Sequence, residues 1–182
     1  MRVITGKAKG VRLMSPPRRL TRPTTALVKE AIFSILESSV GKWGRVLDLY
    51  AGSGALGLEA LSRGAEWADF VDRSRKCCGI IKDNLDKADL LNKAHVYCCG
   101  ASKALSFLSH NYDIVFIDPP FADSSIGNLL ATLSKSEVIG EGATVVVCHA
   151  NRFPLSPDYA GLHLVEQRRY GDTFVYIYQW RN

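Results

Sequence analysis

Residues Asp118-Pro119-Pro120-Phe121 combine a carboxylate, two prolines and an aromatic ring directly after a strand-like run, Tyr112 to Ile117. Loops that follow the strands of an open α/β sheet carry its ligand sites. At such a place the Asp118 carboxylate and the Pro119 carbonyl can each accept one N–H of an amino group. The nitrogen lone pair, which is otherwise delocalised into a nucleobase ring, would then point at an incoming methyl group.

The prolines and the phenylalanine suit the same task. A Pro-Pro step fixes φ and has no N–H, so its carbonyls are stiff acceptors without a competing donor. Phe121 would stack on a base, a contact worth roughly 1–3 kcal/mol. We therefore predict that Asp118, Pro119, Pro120 and Phe121 form the catalytic tetrapeptide of an amino-group methyltransferase. The alternative is a strand-ending turn, for which Asp and Pro are common choices.

A glycine-rich segment predicts a cofactor site. Leu47 to Tyr50 leads into Gly52-Ser53-Gly54-Ala55-Leu56-Gly57, which matches the dinucleotide fingerprint, and Asp72 follows eighteen residues after Gly54. Glycines let a ligand approach the backbone, and the following helix N-terminus favours an anionic group. Asp72 would accept hydrogen bonds from ribose hydroxyls. The pattern predicts an adenosine-containing cofactor; the alternative is a tight turn that binds no ligand.

Two cofactors fit this segment. NAD would place its pyrophosphate at the helix N-terminus, whereas S-adenosylmethionine would place its amino-acid end there, with Asp48 as the partner of its ammonium. An NAD dehydrogenase gives no reason for a Pro-Pro step after the fourth strand or for a basic N-terminal segment. These two features favour S-adenosylmethionine.

Positive charge is concentrated at the start of a chain whose net charge is +5. Residues 1–29 contain eight Lys or Arg and no Asp or Glu, where even spreading of the 23 basic residues would give about four. Such a segment predicts contact with a phosphate backbone. The alternative is a solvated basic tail, but the interleaved apolar residues Val3, Ile4, Val11 and Leu13 indicate that the segment folds.

The elements that must position these residues begin with a basic hairpin. Residues 3–5 and 11–14 are predicted as two short strands, and Thr24 or Thr25 is expected to cap a helix that runs to about Ser38. The apolar face of this helix is predicted to carry Leu27, Ala31, Ile32, Ile35 and Leu36.

Beyond residue 41 strands and helices alternate. The predicted strands are Arg45–Tyr50, Trp67–Asp72, His95–Cys98, Asp113–Asp118, Ala143–Cys148, Leu162–Gln167 and Thr173–Tyr178. The predicted helices are Ala55–Arg63, Arg75–Leu85, Ser102–Leu108 and Ser125–Leu133. Alternation through the fifth strand predicts parallel pairing with crossover helices. Residues 168–172 are too few for a crossover, so the last strand must run antiparallel to the sixth.

The expected fold class is therefore α/β: a doubly wound, seven-stranded, Rossmann-like sheet whose last strand is antiparallel, with a small N-terminal hairpin and helix extension. We assign residues 1–40 to this basic, RNA-binding extension and residues 41–182 to the catalytic domain. A length of 182 residues suffices for one full hydrophobic core.

Composition also bears on the cellular location of the protein and on whether it binds a metal. No run of about 18 apolar residues exists, so no membrane span is expected. The first residues lack the apolar stretch of a signal peptide, which predicts a cytoplasmic location. The five cysteines are expected to be free thiols. Neither adjacent pair, Cys77-Cys78 or Cys98-Cys99, has the two-residue spacer of a zinc site, so no metal is expected.

Four further groups of segments, taken together with the tetrapeptide, support a resemblance to a known family. They are Arg2-Val3-Ile4-Thr5-Gly6 with Gly10, Arg22-Pro23-Thr24-Thr25 with Val28-Lys29-Glu30, Asp48 to Ala60 with Ser62 to Ala65, and Tyr170-Gly171-Asp172-Thr173. With these segments nearly the whole chain resembles the bacterial 16S ribosomal RNA guanine-N2 methyltransferase family, the RsmD type. That family modifies the guanine conventionally numbered 966 in this RNA.

The resemblance implies S-adenosylmethionine as cofactor, and 16S rRNA or a small-subunit ribosomal particle as partner. It implies methyl transfer to the exocyclic N2 of a guanine during small-subunit maturation. The implied cofactor-binding residues are Asp48, Tyr50, Ala51, Gly52, Ser53, Gly54, Asp72, Arg73, Gly100, Ala101 and Asp118. The implied RNA-binding residues are Arg2, Lys7, Lys9, Arg12, Arg22, Thr24 and Thr25.

The sequence departs from the family pattern at two positions. Asp72 stands where a Glu is usual, which shortens the side chain by one methylene. Gly100 stands where an Asp is expected to bind the adenine amino group, so adenine recognition would fall to the backbone of Gly100 and Ala101.

Three other functions remain open at this point. An adenine-N6 DNA methyltransferase would present a similar exocyclic amine to the tetrapeptide, although 182 residues leave no separate target-recognition domain. An NADP oxidoreductase would use Arg73 for the 2′-phosphate. An RNA-binding assembly factor would hold the cofactor without turnover. The four histidines, His95, His110, His149 and His163, show no acid–base partner at local spacing and are expected to be structural.

Overall fold

The computed structural model describes residues 1–17, 25–41, 43–120, 123–150 and 154–181, except for the side chain of Ala150. Three of the predicted site residues, Arg22, Thr24 and Phe121, lie outside these ranges.

Helices and strands alternate through most of the chain. The α-helices are α1 (Ala26–Ser39), α2 (Ala55–Ser62), α3 (Arg75–Lys87), α4 (Ala101–Leu105) and α5 (Ile126–Leu133), and Leu91–Lys93 form a 3-10 turn. The strands are β1 (Arg45–Leu49), β2 (Trp67–Val71), β3 (Ala94–Tyr97), β4 (Tyr112–Ile117), β5 (Ile139–Ala150), β6 (Asp158–Tyr159), β7 (Leu162–Tyr170) and β8 (Thr173–Trp180).

The strands form one sheet in the order β3-β2-β1-β4-β5-β8-β7-β6. Strands β1 to β5 pair in parallel, and β8 pairs antiparallel with both β5 and β7. The strand order reverses between β1 and β4. In open α/β sheets the crevice outside the carboxyl ends of the strands at such a reversal is the usual ligand site.

The predicted doubly wound α/β class, with its antiparallel last strand, is confirmed. All seven predicted strands are present, although β5 and β7 extend beyond their predicted ends. An eighth strand, β6, was not predicted. It has two residues, Asp158 and Tyr159, which pair with His163 and Leu162 of β7. A strand this short shows no alternation from which it could be recognised.

The N-terminal hairpin, residues 1–14, folds back on itself as expected, but its two predicted strands are wrong. Arg2 and Arg12 form an isolated antiparallel bridge. The flanking bonds run from Val3 N to Val11 O, 3.0 Å, and from Leu13 N to Met1 O, 2.9 Å. Other donors of the hairpin bind α2, since Ile4 and Thr5 donate to Glu59. The hairpin is therefore held by a helix as well as by its own hydrogen bonds.

Helix α1 begins where the sequence predicts, because the Thr25 hydroxyl accepts a hydrogen bond from Val28 N at 3.3 Å. Its predicted buried face is only partly right. Leu27 is 65% exposed, and the buried residues are Val28, Lys29, Ile32, Phe33 and Leu36. The buried stripe is rotated because Lys29, which a polarity pattern places on the surface, enters the interior to meet a buried carboxylate.

Both faces of the sheet are covered by apolar side chains. One cluster includes Val3 and Leu13 of the hairpin, Phe33 of α1 and Leu58 of α2, packed on Phe116 of the sheet. The other lies on the side of α4 and α5. The division at residue 40 stays a prediction, and the extension shares this core with residues that follow it. Among the described helices, none is long and apolar enough to cross a membrane.

Candidate active site at the carboxyl edge of the sheet

A cavity of about 510 Å³ opens at the carboxyl ends of the parallel strands. Its lining comes from the loops after β1, β2, β3 and β4, which the sheet brings side by side. The predicted site residues in this lining are Thr25, Asp48, Tyr50, Ala51, Gly52, Ser53, Asp72, Arg73, Gly100, Ala101, Asp118, Pro119 and Pro120. Residues separated by up to 95 positions in sequence therefore share one concave surface.

The loop after β1, residues 50–54, is shaped by left-handed backbone angles. Gly52 and Gly54 have φ of 58° and 77°, and Tyr50 has φ of 60°. Glycine tolerates this region without steric cost, which explains the two glycines. Gly52 lines the cavity, whereas Gly54 is set back from it, and a Cβ there would meet Ile81, Leu58 and Phe70 at 3.3 Å. Gly54 thus shapes the loop from the side that packs on the core, without lining the cavity.

Asp72 connects two of the loops. Its Oδ2 accepts a hydrogen bond from Gly52 N at 2.9 Å, and its Oδ1 accepts one from Ser74 N at 2.8 Å. Each carboxylate oxygen has a further lone pair for a ribose hydroxyl. Asp72 therefore has a structural task besides the predicted one, since it fixes the loop after β1 against the start of α3.

Asp48 lies at the floor of the cavity and is 1% exposed. Its Oδ2 accepts a hydrogen bond from Gly57 N at 2.9 Å. Burial, with a smaller contribution from the charges of Asp118 and Asp72 and against the Gly57 hydrogen bond, raises the pKa of Asp48 to about 8. Only glycine fits at position 57, because a Cβ there would lie 2.3 Å from the Phe70 ring. A buried carboxyl in this setting is suited to a cationic ligand group.

The tetrapeptide continues β4 into the same cavity. Asp118 N points back to Leu49 O at 3.5 Å, which extends the pairing of β4 with β1 by one residue. Asp118, Pro119 and Pro120 all line the cavity, on the side opposite the loop after β3 in strand order. Burial raises the pKa of the Cys148 thiol, and the negative charges of Asp118 and Asp48 raise it further.

The loop after β3 brings Gly100 and Ala101 to the cavity. Gly100 is the N-cap of α4 with ordinary extended angles, φ −74° and ψ 154°. A Cβ at this position would meet nothing within 4 Å, so the space for a longer side chain is open. Ala104 N donates to Gly100 O at 3.0 Å. Adenine recognition here would therefore depend on backbone groups.

The N-terminal segment supplies another wall. Met1 and Pro16 line the cavity, as do Thr25, Leu27 and Val28 at the start of α1. The predicted basic residues of the hairpin, Arg2, Lys7, Lys9 and Arg12, are exposed. They lie outside the cavity lining, on the surface of the same segment. Met1 thus brings the start of the hairpin to the cavity, whereas Lys7 N donates to Ser62 O at 2.9 Å, at the opposite end of α2.

A buried ion pair holds the hairpin in this position. The Lys29 ammonium donates to Glu59 Oε2 at 2.8 Å and to Arg2 O at 2.7 Å. Glu59 also accepts from Ile4 N at 2.8 Å, Thr5 N at 3.0 Å and Arg63 Nε at 3.0 Å. Burial opposes ionisation of Glu59, but these hydrogen bonds lower its pKa overall. Gly6 completes the contact, because a Cβ there would lie 1.8 Å from Ser62 O.

Several cavity residues were not predicted as site residues. His149 lines the cavity at the end of β5 and is 3% exposed. Residues 170–173 line it as well, although the sequence singled them out only as part of a family resemblance. Leu27 was expected to lie on the buried face of the helix, and Val28 was singled out only as part of the resemblance. No local spacing identifies such residues, because they are brought to the cavity by the pairing of β5 with β8 and by the docking of α1.

The cysteines are free thiols, as predicted. Cys77, Cys99 and Cys148 line the cavity. Burial, together with a smaller contribution from the contact with Cys98, raises the pKa of Cys78 to about 12. Within the described ranges no group of three or more His, Cys, Asp or Glu side chains is arranged to hold a metal ion.

Comparison with known proteins gives consistent matches over the whole chain. The family model described as "Conserved hypothetical protein 95" matches residues 1–179. "Putative rRNA methyltransferase YlbH" of Bacillus subtilis is 38% identical over 184 residues, which cover 100% of both chains. "Ribosomal RNA small subunit methyltransferase D" of Escherichia coli K12 is 32% identical over 98% of this chain and 89% of its own length. A solved structure titled "Putative methyltransferase yhhF from Escherichia coli" superposes with a TM-score of 0.86 at 29% identity, covering 100% of this chain and 98% of that one.

Proposed function

Because the chain belongs to the conserved hypothetical protein 95 family, the RsmD family of methyltransferases, we propose that it transfers a methyl group from S-adenosylmethionine to the exocyclic N2 of a guanine in 16S ribosomal RNA. The proposed target is the guanine conventionally numbered 966, modified during small-subunit maturation. The observation that carries this proposal is one cavity that joins the loop after β1 to Asp118, Pro119 and Pro120.

The residues of the cavity fit S-adenosylmethionine. The buried Asp48 carboxyl suits its ammonium, Asp72 suits its ribose hydroxyls, and the backbone at Gly100 and Ala101 suits its adenine. When bound, this cofactor supplies an electrophilic methyl group attached to a sulfonium. The absence of a side chain at Gly57 lets Asp48 and the backbone of α2 approach each other, which fixes the carboxyl position.

The chain's part in the reaction is to orient the amine. The Asp118 carboxylate and the Pro119 carbonyl each accept one N–H of the target amine, which leaves its lone pair directed along the cavity. Positioning of this kind supplies a large share of the barrier reduction in group transfer. The amine loses a proton only after the new C–N bond has formed and the S–CH3 bond has broken. Asp118 is adjacent to that proton and can accept it or pass it to water.

Entry of the base requires that it leave its stack, which costs a few kcal/mol. Phosphate contacts and stacking offset this cost. The exposed basic residues Arg2, Lys7, Lys9 and Arg12 lie on the segment whose Met1 and Pro16 line the cavity. We propose that they hold the RNA backbone while the base enters. Arg22 and Thr24 are proposed to assist and lie outside the described residues.

The experiment that tests this function is incubation with methyl-labelled S-adenosylmethionine and one of three acceptors: free 16S RNA, small-subunit particles or duplex DNA. The labelled nucleoside is then identified and mapped. We expect N2-methylguanosine at one position of the ribosomal RNA. Label in N6-methyladenine of DNA would establish the alternative methyltransferase. Tight NADPH binding by calorimetry, without binding of S-adenosylhomocysteine, would establish the oxidoreductase instead.

Substitution of Asp118 separates catalysis from binding. Asp118→Ala should lower the rate of methyl transfer about 100-fold or more, because loss of one positioned polar contact at a reacting group costs that much. Calorimetry should show a much smaller loss of S-adenosylhomocysteine affinity than of rate, because the proposed contact with the target amine is made only during transfer, although Asp118 also lines the cofactor cavity. Asp118→Asn keeps an acceptor oxygen and should retain more activity than Asp118→Ala. Equal activity of wild type and Asp118→Ala would refute the assigned role.

A further inference from the structure

The turn between β7 and β8, Tyr170-Gly171-Asp172-Thr173, lies at the active-site edge for a topological reason. Strand β8 is antiparallel to β5, so it starts where the parallel strands end, and Thr173 pairs with Ala150 at the carboxyl end of β5. Strand β7 is antiparallel to β8 and therefore ends at the same edge. All four residues of the turn line the cavity together with Asp118, Pro119 and Pro120.

The turn has a defined shape. Tyr170 and Thr173 are paired, which leaves two residues in the loop, and Gly171 has φ of 61°. A two-residue hairpin loop needs a positive φ at its first central position in the tight turns that match strand twist, and glycine provides it. Arg169 Nε donates to Gly171 O at 2.9 Å, and its guanidinium lies 5.7 Å from the Phe174 ring centre. Asp172 is thus carried on a fixed turn.

The Asp172 carboxylate is available to a ligand. It is exposed at the cavity rim, and within the described part of the chain it takes part in no hydrogen bond or ion pair. An ionised carboxylate only accepts hydrogen bonds. A base recognised by it must therefore present an N–H, in addition to the amine that Asp118 and Pro119 receive.

Among the bases that carry an exocyclic amine, guanine alone has a ring N–H next to it, at N1. In adenine the ring nitrogen beside the amine, N1, is an acceptor, as is N3 in cytosine. We propose that Asp172 accepts the N1–H of the target guanine and so determines which amine-bearing base the enzyme methylates. Adenine or cytosine in the same orientation would set a nitrogen lone pair against the carboxylate. This inference rests on the function proposed above and adds a specificity-determining residue to it.

The test compares guanine with 2,6-diaminopurine, which keeps the N2 amine but has an acceptor at N1. The acceptor is 16S RNA assembled by ligation with either base at the mapped position, used free or in small-subunit particles according to which the enzyme methylates. We expect wild type to prefer guanine in kcat/KM by roughly 10- to 100-fold. Asp172→Asn should reduce that preference to within about threefold, because an amide can turn to donate or to accept.

Two further variants control the comparison. Asp86→Asn makes the same change of charge on the exposed side of α3, away from the cavity, and should keep the wild-type preference. Asp172→Glu keeps the carboxylate and should keep a preference for guanine, and binding of S-adenosylhomocysteine reports folding of each variant. A wild-type preference near one, or an unchanged preference in Asp172→Asn, would overturn the role of Asp172 while the proposed function stands. Absence of N2 methylation by wild type would overturn both.

Discussion

Among the described residues four carboxylates line the cavity, those of Asp48, Asp72, Asp118 and Asp172, and the environments of the first three differ. Asp72 is held by two backbone N–H groups, Asp118 lies at the end of β4, and Asp48 is buried. Burial and the neighbouring charges of Asp118 and Asp72 raise the pKa of Asp48 from 3.8 to about 8. Asp48 is therefore mostly protonated at pH 7 in the absence of a ligand, and a cationic ligand would shift it to the ionised form.

This shift predicts a proton release on binding. If the cofactor ammonium pairs with ionised Asp48, binding of S-adenosylhomocysteine at pH 7 should release close to one proton. Its affinity should rise about tenfold per pH unit as the pH approaches about 8 from below. Calorimetry in buffers of different ionisation enthalpy measures the proton count. An unchanged affinity between pH 6 and pH 8 would contradict the assignment.

Asp48→Asn is the matched control, because it cannot titrate. Its proton release should be absent and its affinity flat with pH. Stability gives an independent check on the sign. The folded pKa of Asp48 is raised, so the wild type loses stability relative to Asp48→Asn as pH rises from about 4 to about 8. Urea unfolding should show that the free energy of unfolding of the wild type minus that of Asp48→Asn is smaller at pH 8 than at pH 5.

At the scale of elements, the contact between the N-terminal hairpin and α2 depends on Glu59. This carboxylate is 0% exposed and receives hydrogen bonds from Lys29, Arg63, Ile4 and Thr5. Lys29 is fully buried too, and desolvation lowers its pKa in spite of the opposing effect of Glu59. A buried charge whose partner is removed is strongly unfavourable. The hairpin, α1 and α2 are thus coupled through one acidic side chain.

Glu59→Ala should therefore lower the free energy of unfolding by about 3–5 kcal/mol in urea titration. Amide exchange at Ile4 and Thr5 should accelerate more than exchange in β1, because these two N–H groups lose their acceptor. Glu37→Ala is a matched control, since exposed Glu37 pairs with the same Arg63. An exposed pair contributes about 1 kcal/mol or less. Similar losses of unfolding free energy in the two variants would show that the buried hydrogen-bond network stabilises the protein no more than the exposed pair does.

At the scale of the whole molecule, charge is distributed unevenly around the sheet. Residues 1–29 hold eight of the 23 basic residues and no acidic one. Of these, Arg2, Lys7, Lys9 and Arg12 are exposed, and the part of the chain that the structure describes gives them no ion pair. Met1 of the hairpin lines the cavity, and we propose that this positive surface contacts the RNA whose base enters the cavity.

Neutralising Lys7, Lys9 and Arg12 together should weaken RNA binding and flatten its salt dependence. Each phosphate contact releases condensed counterions, so the slope of log affinity against log salt should fall by about 2–3 units. Fluorescence titration of 16S RNA at several salt concentrations measures this slope. Binding of S-adenosylhomocysteine should be unchanged, because the three side chains lie outside the cavity.

The control removes three exposed basic residues that lie outside the cavity lining and its neighbouring loops, Lys87, Lys135 and Arg181. Net charge falls equally in both triple variants, so a purely global effect would give equal slopes. A larger loss in the hairpin variant supports local contacts. Equal slopes would mean that the hairpin is solvated and that RNA binds elsewhere along the carboxyl edge.

The α/β class, seven of the eight described strands and the loops that carry Asp48, Asp72 and Asp118 could be predicted from the sequence. Periodicity and glycine spacing are local properties of the sequence. Ligands bind at the carboxyl ends of parallel strands, so these local patterns also predict where the site lies. Thr25 as the cap of α1 was also predictable, because a cap depends on neighbours within one turn.

The docking of the N-terminal segment and the position of the turn between β7 and β8 at the cavity could be seen only in the tertiary structure. Local polarity predicted two hairpin strands and placed Leu27 inside, whereas Glu59, 30 residues from its partner, draws Lys29 inward and takes the hairpin's donors. Antiparallel pairing of β8 with β5 brings Asp172 to the cavity, although it lies 54 residues beyond Asp118. Such contacts depend on long-range pairing and on charge neutralisation in the interior, which no local pattern encodes.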